Sequence, residues 1–212
     1  LPIKGFNVSM PYKVDILPYL DELTPEAKLC HAVNTVKNIN GKLIGHITDG
    51  IGFVKACQEK GWHLFQQKVV ILGAGGACRA IVVALAQYVS EIVIYNRSQK
   101  DWVQELNQQL TCPITLKSLS DLESLKKDLQ ESYLLIQTTN VGMAPDEDEC
   151  LIKDDTYLPE HLKVADIIYH PQQTKLLKMA QKRGLDFMNG EGMILYQGAE
   201  SFKFWTNQEM PI

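Results

Sequence analysis

The sequence has few cysteines and no long apolar run, and both absences exclude classes of protein. Its five cysteines are scattered and form no C-x-x-C pair, which argues against a disulfide framework and favours a reducing cytosol. No apolar stretch approaches the ~20 residues of a membrane helix, and the first residues do not show the basic and then apolar pattern of a secretion signal. We therefore expect a cytoplasmic protein.

Positive charge is not in excess either. The chain has 21 lysines and arginines against 25 aspartates and glutamates, which gives a net charge of −4. Without a basic stripe, nucleic acid is not an expected partner, and an anionic ligand must be held by local donors. Histidines and cysteines do not cluster with metal-ligand spacing, so no metal is expected. The 212 residues, 45% of them hydrophobic, suffice for one large domain or two small ones.

A glycine-rich turn after a short apolar strand is the most informative feature that the sequence does contain. The strand is Val69-Val70-Ile71-Leu72 and the turn is Gly73-Ala74-Gly75-Gly76-Ala77, after which an alanine-rich helix begins. Gly73 and Gly75 allow a sharp turn and a close approach to phosphate, and the free N–H groups of the helix favour negative charge. Cys78 occupies the third glycine position of the usual G-x-G-x-x-G pattern. The pattern predicts a dinucleotide site, and it needs support from neighbouring elements.

The end of the next strand indicates which dinucleotide is bound. Strand 91–95 is followed by Asn96-Arg97-Ser98, where a cofactor without a 2′-phosphate usually meets an acidic residue. Arg97 can pair with a phosphate or stack on adenine, and its two neighbours add hydrogen-bonding groups. These residues predict NADP, while NAD stays possible. The alternative is a solvated loop, in which Asn, Arg and Ser are ordinary residues.

Residues 64–190 alternate strands with helices, as a parallel sheet with crossover helices does. This pattern predicts an α/β fold with a Rossmann-type doubly wound parallel sheet. The predicted strands are 68–72, 91–95, 133–137, 164–168 and 185–188, and the predicted helices are 77–88, 101–110, 121–129 and 172–183.

The two chain ends contain shorter elements. Before the central part we predict a strand at 5–8, a helical stretch, and a hairpin of 32–36 and 42–46 turned at Asn40-Gly41; after it we predict a helix at 192–204. Leu1 precedes the first strand by only a few residues, and the N-terminal elements are too few for a self-sufficient sheet. We expect that an N-terminal segment is missing. The alternative is a small domain that a partner subunit completes.

Six segments with unexplained polar or small residues follow one another along the chain. They are Asn7-Val8-Ser9-Met10-Pro11-Tyr12-Lys13, Ala32-Val33-Asn34-Thr35-Val36, Ile47-Thr48-Asp49-Gly50-Ile51-Gly52-Phe53, the turn at 73–77, Asn96-Arg97, and Gly190-Glu191-Gly192-Met193-Ile194-Leu195-Tyr196-Gln197-Gly198-Ala199-Glu200. In this order they closely resemble the shikimate dehydrogenase family over essentially the whole chain. Six ordered motifs are far more specific than any one of them.

The resemblance implies a fold, a reaction and a set of site residues. A substrate domain would combine residues 1–63 with a returning helix at 191–212, around an NADP-binding Rossmann domain at 64–190. The implied enzyme is an oxidoreductase, a monomer or homodimer, that reversibly reduces 3-dehydroshikimate to shikimate on the way to chorismate and the aromatic amino acids. Lys13 and Asp49 match the catalytic pair, and the substrate-binding groups match Asn7, Ser9, Asn34, Tyr169 and Gln197. The cofactor-binding residues would be Gly73, Ala74, Gly75, Gly76, Ala77, Asn96, Arg97, Ser98, Asn140, Ile167 and Gly190.

The chemistry of Lys13 agrees with this role. As hydride reaches a carbonyl carbon, negative charge builds on the oxygen, and an ammonium group can stabilise that charge and deliver a proton. Asp49 would hold the lysine and accept a hydrogen bond from a substrate hydroxyl. A solvated surface charge is the ordinary alternative for a single Lys or Asp, and the motifs around both residues argue against it.

The sequence departs from the family pattern at three places. It lacks the upstream strand-helix-strand unit whose two serines bind the substrate carboxylate, so we expect the chain to bind cofactor but to turn over poorly. Asp101 stands where many members have a second basic residue, although Lys100 is adjacent. Ile47 stands where asparagine is frequent.

Two other functions stay open. Residues 140–143 and the helix around Gln197 look closer to the branch of the family that accepts quinate as well as shikimate. That branch uses either NAD or NADP. The alternative from another class is a non-catalytic nucleotide-binding fragment or regulatory paralogue. The missing serine segment favours that alternative, and the presence of both Lys13 and Asp49 opposes it.

Overall fold

A computed structural model describes residues 3–212, which form two β-sheets and seven α-helices. In chain order the strands are β1 (Gly5–Asn7), β2 (Glu22–Leu23), β3 (Thr35–Ile39), β4 (Lys42–His46), β5 (Lys68–Leu72), β6 (Glu91–Asn96), β7 (Ile114–Ser118), β8 (Leu134–Gln137), β9 (Lys163–Asp166) and β10 (Phe187–Met188). The helices are α1 (Pro25–Cys30), α2 (Asp49–Glu59), α3 (Gly76–Leu85), α4 (Asp101–Gln109), α5 (Leu122–Glu131), α6 (Lys175–Lys182) and α7 (Glu191–Thr206). Between residues 3 and 212, no helix combines the length and apolarity of a membrane span.

The larger sheet has six parallel strands in the order β10-β9-β8-β5-β6-β7. The chain starts at the central strand β5, runs outward to β7, and then returns to β8 on the other side of β5. The strand order therefore reverses between β5 and β8, and a crevice opens at the carboxyl ends of the strands at this point. The predicted doubly wound parallel sheet is confirmed.

The apolar run of β5 explains its central position. Val69, Val70, Ile71 and Leu72 are all 0% exposed, as is typical of a parallel strand that helices cover on both faces. Val69 and Ile71 pack into an apolar cluster with residues of α2 and α3, whereas Val70 and Leu72 pack into a second cluster with residues of α5 and α6. This packing holds the strand, and the turn that follows it, in one position.

The smaller sheet has the order β1-β3-β4-β2, and strand β3 contacts both the N-terminal strand β1 and the C-terminal helix α7. Strands β3 and β4 form a hairpin that turns, as predicted, at Asn40 and Gly41, whose φ angles are 53° and 93°. Its first strand is Thr35–Ile39 and not the predicted 32–36. Helix α2 follows β4, and α7 packs on α2 and on β3, where the Trp205 Nε1 donates to the Val36 carbonyl at 3.0 Å. One apolar cluster continues from this sheet to the larger one. The domain boundaries at 63/64 and 190/191 stay a prediction.

Several elements differ from the sequence prediction, among them the two-residue strand β2, which is absent from it. Strand β7 is also absent from the sequence prediction; of the two apolar side chains of this edge strand, Ile114 is buried and Leu116 is only half-buried. Helix α2 is also absent from it, because the early glycines Gly50 and Gly52 are poor signals for a helix. The helix predicted at 172–183 begins at Lys175, because Thr174 is its N-cap and accepts the Leu177 N–H. Residues 1 and 2 of the predicted substrate domain lie outside the described residues.

Candidate active site

Lys13 and Asp49 lie on different elements and form an ion pair. Lys13 is in the turn after β1, and Asp49 is the first residue of α2. The Lys13 Nζ atom lies 2.6 Å from the Asp49 Oδ2 atom, and Asp49 is only 9% exposed. The position at a helix N-terminus favours the negative charge of Asp49. The pair keeps a charged amine at a fixed place, as a proton donor requires.

Asn34 fixes the second oxygen of Asp49. The Asn34 Nδ2 donates to Asp49 Oδ1 at 2.8 Å, and the Asn34 Oδ1 accepts the Thr48 N–H at 2.9 Å. Asn34 is 3% exposed and immediately precedes β3. Because both oxygens of Asp49 are engaged, the carboxylate has one orientation, and so does the Lys13 ammonium that it holds.

A buried hydroxyl network supports Asn34. The hydroxyl oxygens of Thr35 and Ser201, both 0% exposed, are 2.6 Å apart. The Asn7 Nδ2 donates to Thr35 Oγ1 and to the Asn34 carbonyl, each at 3.1 Å. This network joins β1, β3 and α7 behind the ion pair. Thr35 and Ser201 are not among the predicted site residues, although Ser201 lies four residues after Gln197 and therefore on the same helix face.

The predicted catalytic and substrate-binding residues line one cleft of about 400 Å³, a size typical of small-ligand sites. These residues are Asn7, Ser9, Lys13, Asn34, Asp49, Tyr169 and Gln197. The apolar part of the lining comes from Val8, Ile167, Met193 and Ile194. Of these four, only Ile167 is in the sequence prediction, as a cofactor-binding residue. The structure brings the predicted residues together, and their individual roles stay predictions.

Most of the predicted cofactor residues lie in a second pocket, at the carboxyl ends of β5, β6 and β8. This is the crevice where the strand order reverses. The residues that line it are Gly73, Ala74, Gly75, Asn96, Arg97, Ser98, Lys100, Thr138, Thr139 and Asn140. Gly76 and Ala77 follow the turn as the first residues of α3. Lys100, Thr138 and Thr139 are additions to the predicted set.

The glycine-rich turn has the backbone that a phosphate requires. Gly73 has a φ of +95°, and an ideal Cβ there would lie 2.5 Å from Thr139 Cγ2, so a larger residue does not fit. A Cβ at Gly75 or Gly76 would meet nothing within 4 Å, so the backbone faces open space. The N-cap of α3 is Gly75, which has no capping side chain, and the first N–H groups of the helix are free to bind an anion. Burial raises the pKa of the Cys78 thiol to about 12, so this residue is neutral and does not repel a phosphate.

Two cationic side chains line this pocket in addition to the glycine-rich turn. The Asn96 Nδ2 donates to the Ser98 carbonyl at 2.8 Å and shapes the loop that leaves Arg97 exposed. Arg97 and Lys100 both line the pocket, and its lining within the described residues contains no carboxylate. This charge suits an anionic group such as a 2′-phosphate.

The two pockets adjoin where β8 and β9 end. Ile167 lines the cleft, and its N–H donates at 3.1 Å to the carbonyl of Gln137, the residue before the 138–140 segment of the second pocket. Gly190 is buried behind Ile167 and lines neither pocket, and an ideal Cβ at Gly190 would lie 2.0 Å from the Ile167 carbonyl oxygen. Gly190 therefore packs against the backbone of Ile167, and its part in cofactor binding stays a prediction.

Comparison with known proteins identifies the family of this chain. The profile "Shikimate dehydrogenase substrate binding domain" matches residues 1–36, "Shikimate / quinate 5-dehydrogenase" matches 55–143, and "Shikimate 5'-dehydrogenase C-terminal domain" matches 190–212. The shikimate dehydrogenase (NADP(+)) of Listeria monocytogenes (serotype 4b) is 42% identical over 217 residues, which cover 99% of this chain and 75% of that protein. The chain belongs to the shikimate dehydrogenase family.

Other members of the family agree in sequence and in fold. The shikimate dehydrogenase (NADP(+)) of Streptococcus pyogenes (serotype M28) is 46% identical over 222 residues, which cover 100% of this chain and 76% of that protein. The crystal structure of the Listeria monocytogenes shikimate 5-dehydrogenase, in complex with shikimate and NAD, matches with a TM-score of 0.94 over 99% of this chain and 75% of that one, at 42% identity. The predicted membership of the shikimate dehydrogenase family is thus confirmed.

Proposed function

We propose that this chain is an NADP-dependent shikimate dehydrogenase, which reversibly reduces 3-dehydroshikimate to shikimate in the biosynthesis of chorismate and the aromatic amino acids. The observation that carries the proposal is the 2.6 Å contact of Lys13 Nζ with Asp49 Oδ2, in a cleft that adjoins a dinucleotide pocket. The names of the matched relatives, shikimate dehydrogenase (NADP(+)), support it.

The proposed chemistry centres on the Lys13 ammonium. Bound NADPH would supply the hydride, and negative charge would build on the carbonyl oxygen of the substrate. Lys13 stabilises this charge and delivers the proton that completes the hydroxyl group. In the reverse direction the neutral Lys13 amine takes the proton from that hydroxyl and becomes the ammonium. Asp49, held by Asn34 at 2.8 Å, keeps the lysine in place and can accept a hydrogen bond from a second substrate hydroxyl.

The nucleotide pocket fits NADP in shape and charge. The open space at Gly75 and the free helix N–H groups suit the pyrophosphate. Arg97 and Lys100 suit the 2′-phosphate, which NAD lacks. From there the 138–140 segment leads towards Ile167, so the nicotinamide end of the cofactor would reach the edge of the substrate cleft.

We also propose that the enzyme works in the cytoplasm, as a monomer or a homodimer. The five cysteines support a reducing compartment, because all five are free and buried. Burial raises the pKa of the Cys30 thiol to about 12, which keeps this cysteine unreactive.

Replacement of Lys13 tests the proposed chemistry. In Lys13→Met the side chain keeps a similar length and loses the proton, so kcat for shikimate oxidation should fall by a factor on the order of 10² or more, with KM less affected. Initial rates of NADPH formation measure both constants.

A matched variant controls for loss of an ion pair. Lys42 pairs with Glu22 at 2.5 Å on the exposed side of the smaller sheet, and Lys42→Met should leave kcat unchanged. Equal turnover of the Lys13→Met and wild-type proteins would exclude Lys13 as the proton donor.

A further inference from the structure

A buried carboxylate lies next to the cleft and has no part in the mechanism above. Asp166 is the last residue of β9 and is 1% exposed. Its Oδ1 accepts the Ile168 N–H at 3.0 Å, and its Oδ2 accepts the Thr174 hydroxyl at 2.7 Å. Both donors are neutral groups.

Packing alone does not explain an aspartate at this position. A buried charge without a cationic partner is costly, and burial raises the pKa of Asp166 to about 6. A neutral side chain of the same size would avoid this cost. The role of Asp166 therefore depends on which parts of the chain its two hydrogen bonds connect.

These two bonds hold both ends of one loop. The loop, residues 167–173, begins after Asp166 and ends at Thr174, the N-cap of α6, whose hydroxyl also accepts the Leu177 N–H at 3.4 Å. It contains Ile167 and Tyr169, which line the substrate cleft. One carboxylate thus connects the start of the loop to the start of the following helix.

Neighbouring elements fix the other side of the loop. The Gly190 N–H donates to the Ile168 carbonyl at 2.9 Å, and the Ile167 N–H donates to the Gln137 carbonyl at 3.1 Å. Ile168 is therefore held at its N–H by Asp166 and at its carbonyl by Gly190. Because Ile167 and Tyr169 are the chain neighbours of Ile168, their positions are fixed with it.

We propose that Asp166 is a positioning residue for hydride transfer. By holding the Ile168 N–H and the Thr174 hydroxyl, it places Ile167 and Tyr169 where the substrate cleft meets the nucleotide pocket, and so it aligns substrate and nicotinamide. This inference rests on the proposed dehydrogenase function.

Three variants separate positioning from simple stability. Asp166→Ala removes both hydrogen bonds. Asp166→Asn keeps the Oδ1 acceptor, and its amide can donate to the Thr174 oxygen once that hydroxyl turns, so it should restore the loop. Asp121→Ala is the matched control, because Asp121 also holds a backbone N–H, that of Ser124 at 3.0 Å, at the start of α5, and it lines neither pocket.

The readouts are kcat and KM for shikimate, and the dissociation constants of NADP⁺ and of 2′,5′-ADP, which has the adenosine phosphates but no nicotinamide. In Asp166→Ala we expect kcat to fall by about tenfold to a hundredfold, since a misplacement of about 1 Å can cost that much. NADP⁺ affinity should fall, while 2′,5′-ADP affinity stays within about twofold of wild type. Asp166→Asn and Asp121→Ala should both be close to wild type.

Other outcomes would overturn the proposal. A wild-type kcat in Asp166→Ala would do so, and so would equal losses of NADP⁺ and 2′,5′-ADP affinity, which indicate a merely structural role. If Asp166→Ala does not fold, Thr174→Val, which loses the hydroxyl, and Thr174→Ser, which keeps it, give the same comparison. A wild-type protein without shikimate activity would contradict the proposed function instead, and the ratio of the two nucleotide affinities would still test the position of the loop.

Discussion

Arg97 and Lys100 place two positive charges where the adenosine end of NADP would lie. The sequence shows Asp101 where the family often has a second basic residue, and in the structure Lys100 is the lysine that lines the pocket together with Arg97. We therefore expect these two side chains to favour NADP over NAD. Because both side chains are exposed to solvent, replacing either one should weaken NADP binding without lowering the stability of the fold.

Replacement of Arg97 tests this reading of the pocket. Arg97→Gln should weaken NADP⁺ binding by about 1.5–3 kcal/mol, the size of a hydrogen bond to a charged group, and should leave NAD⁺ binding nearly unchanged. Calorimetric titration of both nucleotides measures the two effects. Lys126→Gln, at a lysine outside the pocket, is the control. Equal losses for NADP⁺ and NAD⁺ would mean that Arg97 does not bind the 2′-phosphate.

At the scale of residues, the sequence motifs indicated which side chains lie together, while the roles of these side chains stay predictions. Lys13, Asp49 and Gln197 belong to family-like motifs, and the structure brings them to one cleft. Asp166 and Ser201 were not predicted, because they contact the backbone or buried hydroxyls and not the open cleft. Their roles depend on how loops and helices return, and spacing in the sequence does not show this.

At the scale of elements, helices α2 and α3 pack closely on each other. Helix α2 begins with Asp49, and α3 begins after the glycine-rich turn. They approach so closely at Gly50 that an ideal Cβ there would lie 2.1 Å from the Ala80 carbonyl oxygen. The absence of a side chain at Gly50 therefore sets the distance between the ion pair and the nucleotide turn.

An alanine at Gly50 should push these helices apart. We expect Gly50→Ala to lower the free energy of unfolding by about 1–3 kcal/mol, the usual cost of overpacking. Gly198→Ala is a control of opposite sign: Gly198 lies inside α7 with nothing within 4 Å of an ideal Cβ, and alanine there should stabilise by roughly 0.5–1 kcal/mol. Urea unfolding compares the two variants. A Gly50→Ala protein as stable as wild type would show that the helices are free to separate.

Close contacts of α2 with α3 and α7 explain why α2 was not predicted from the sequence. Gly50 and Gly52 lower the helix signal, and both are required by neighbours that are distant in sequence, since a Cβ at Gly52 would lie 2.6 Å from the Gln197 nitrogen. The strands β5 and β6 were predicted well, because both of their faces are buried and the sequence shows continuous apolar runs. Edge strand β7 has no such run.

At the scale of the whole molecule, the fold brings the proposed proton donor, Lys13, and the proposed nucleotide pocket to one boundary. The smaller sheet and α7 form the cleft with Lys13 and Asp49, and the carboxyl ends of β5, β6 and β8 form the nucleotide pocket. The two adjoin at Ile167, which follows β9. The proposed hydride transfer therefore requires both the cleft and the nucleotide pocket.

Transfer of deuterium tests that central claim most directly. Shikimate labelled at the carbon whose hydroxyl group is oxidised is incubated with the protein and NADP⁺, and mass spectrometry then detects label in the reduced nucleotide even when turnover is slow. We predict deuterated NADPH. We predict less label in the reduced nucleotide when quinate, labelled at the equivalent carbon, replaces shikimate, or when NAD⁺ replaces NADP⁺. An unlabelled nucleotide, from a protein that calorimetry shows to be saturated with NADP⁺ and shikimate, would contradict the account.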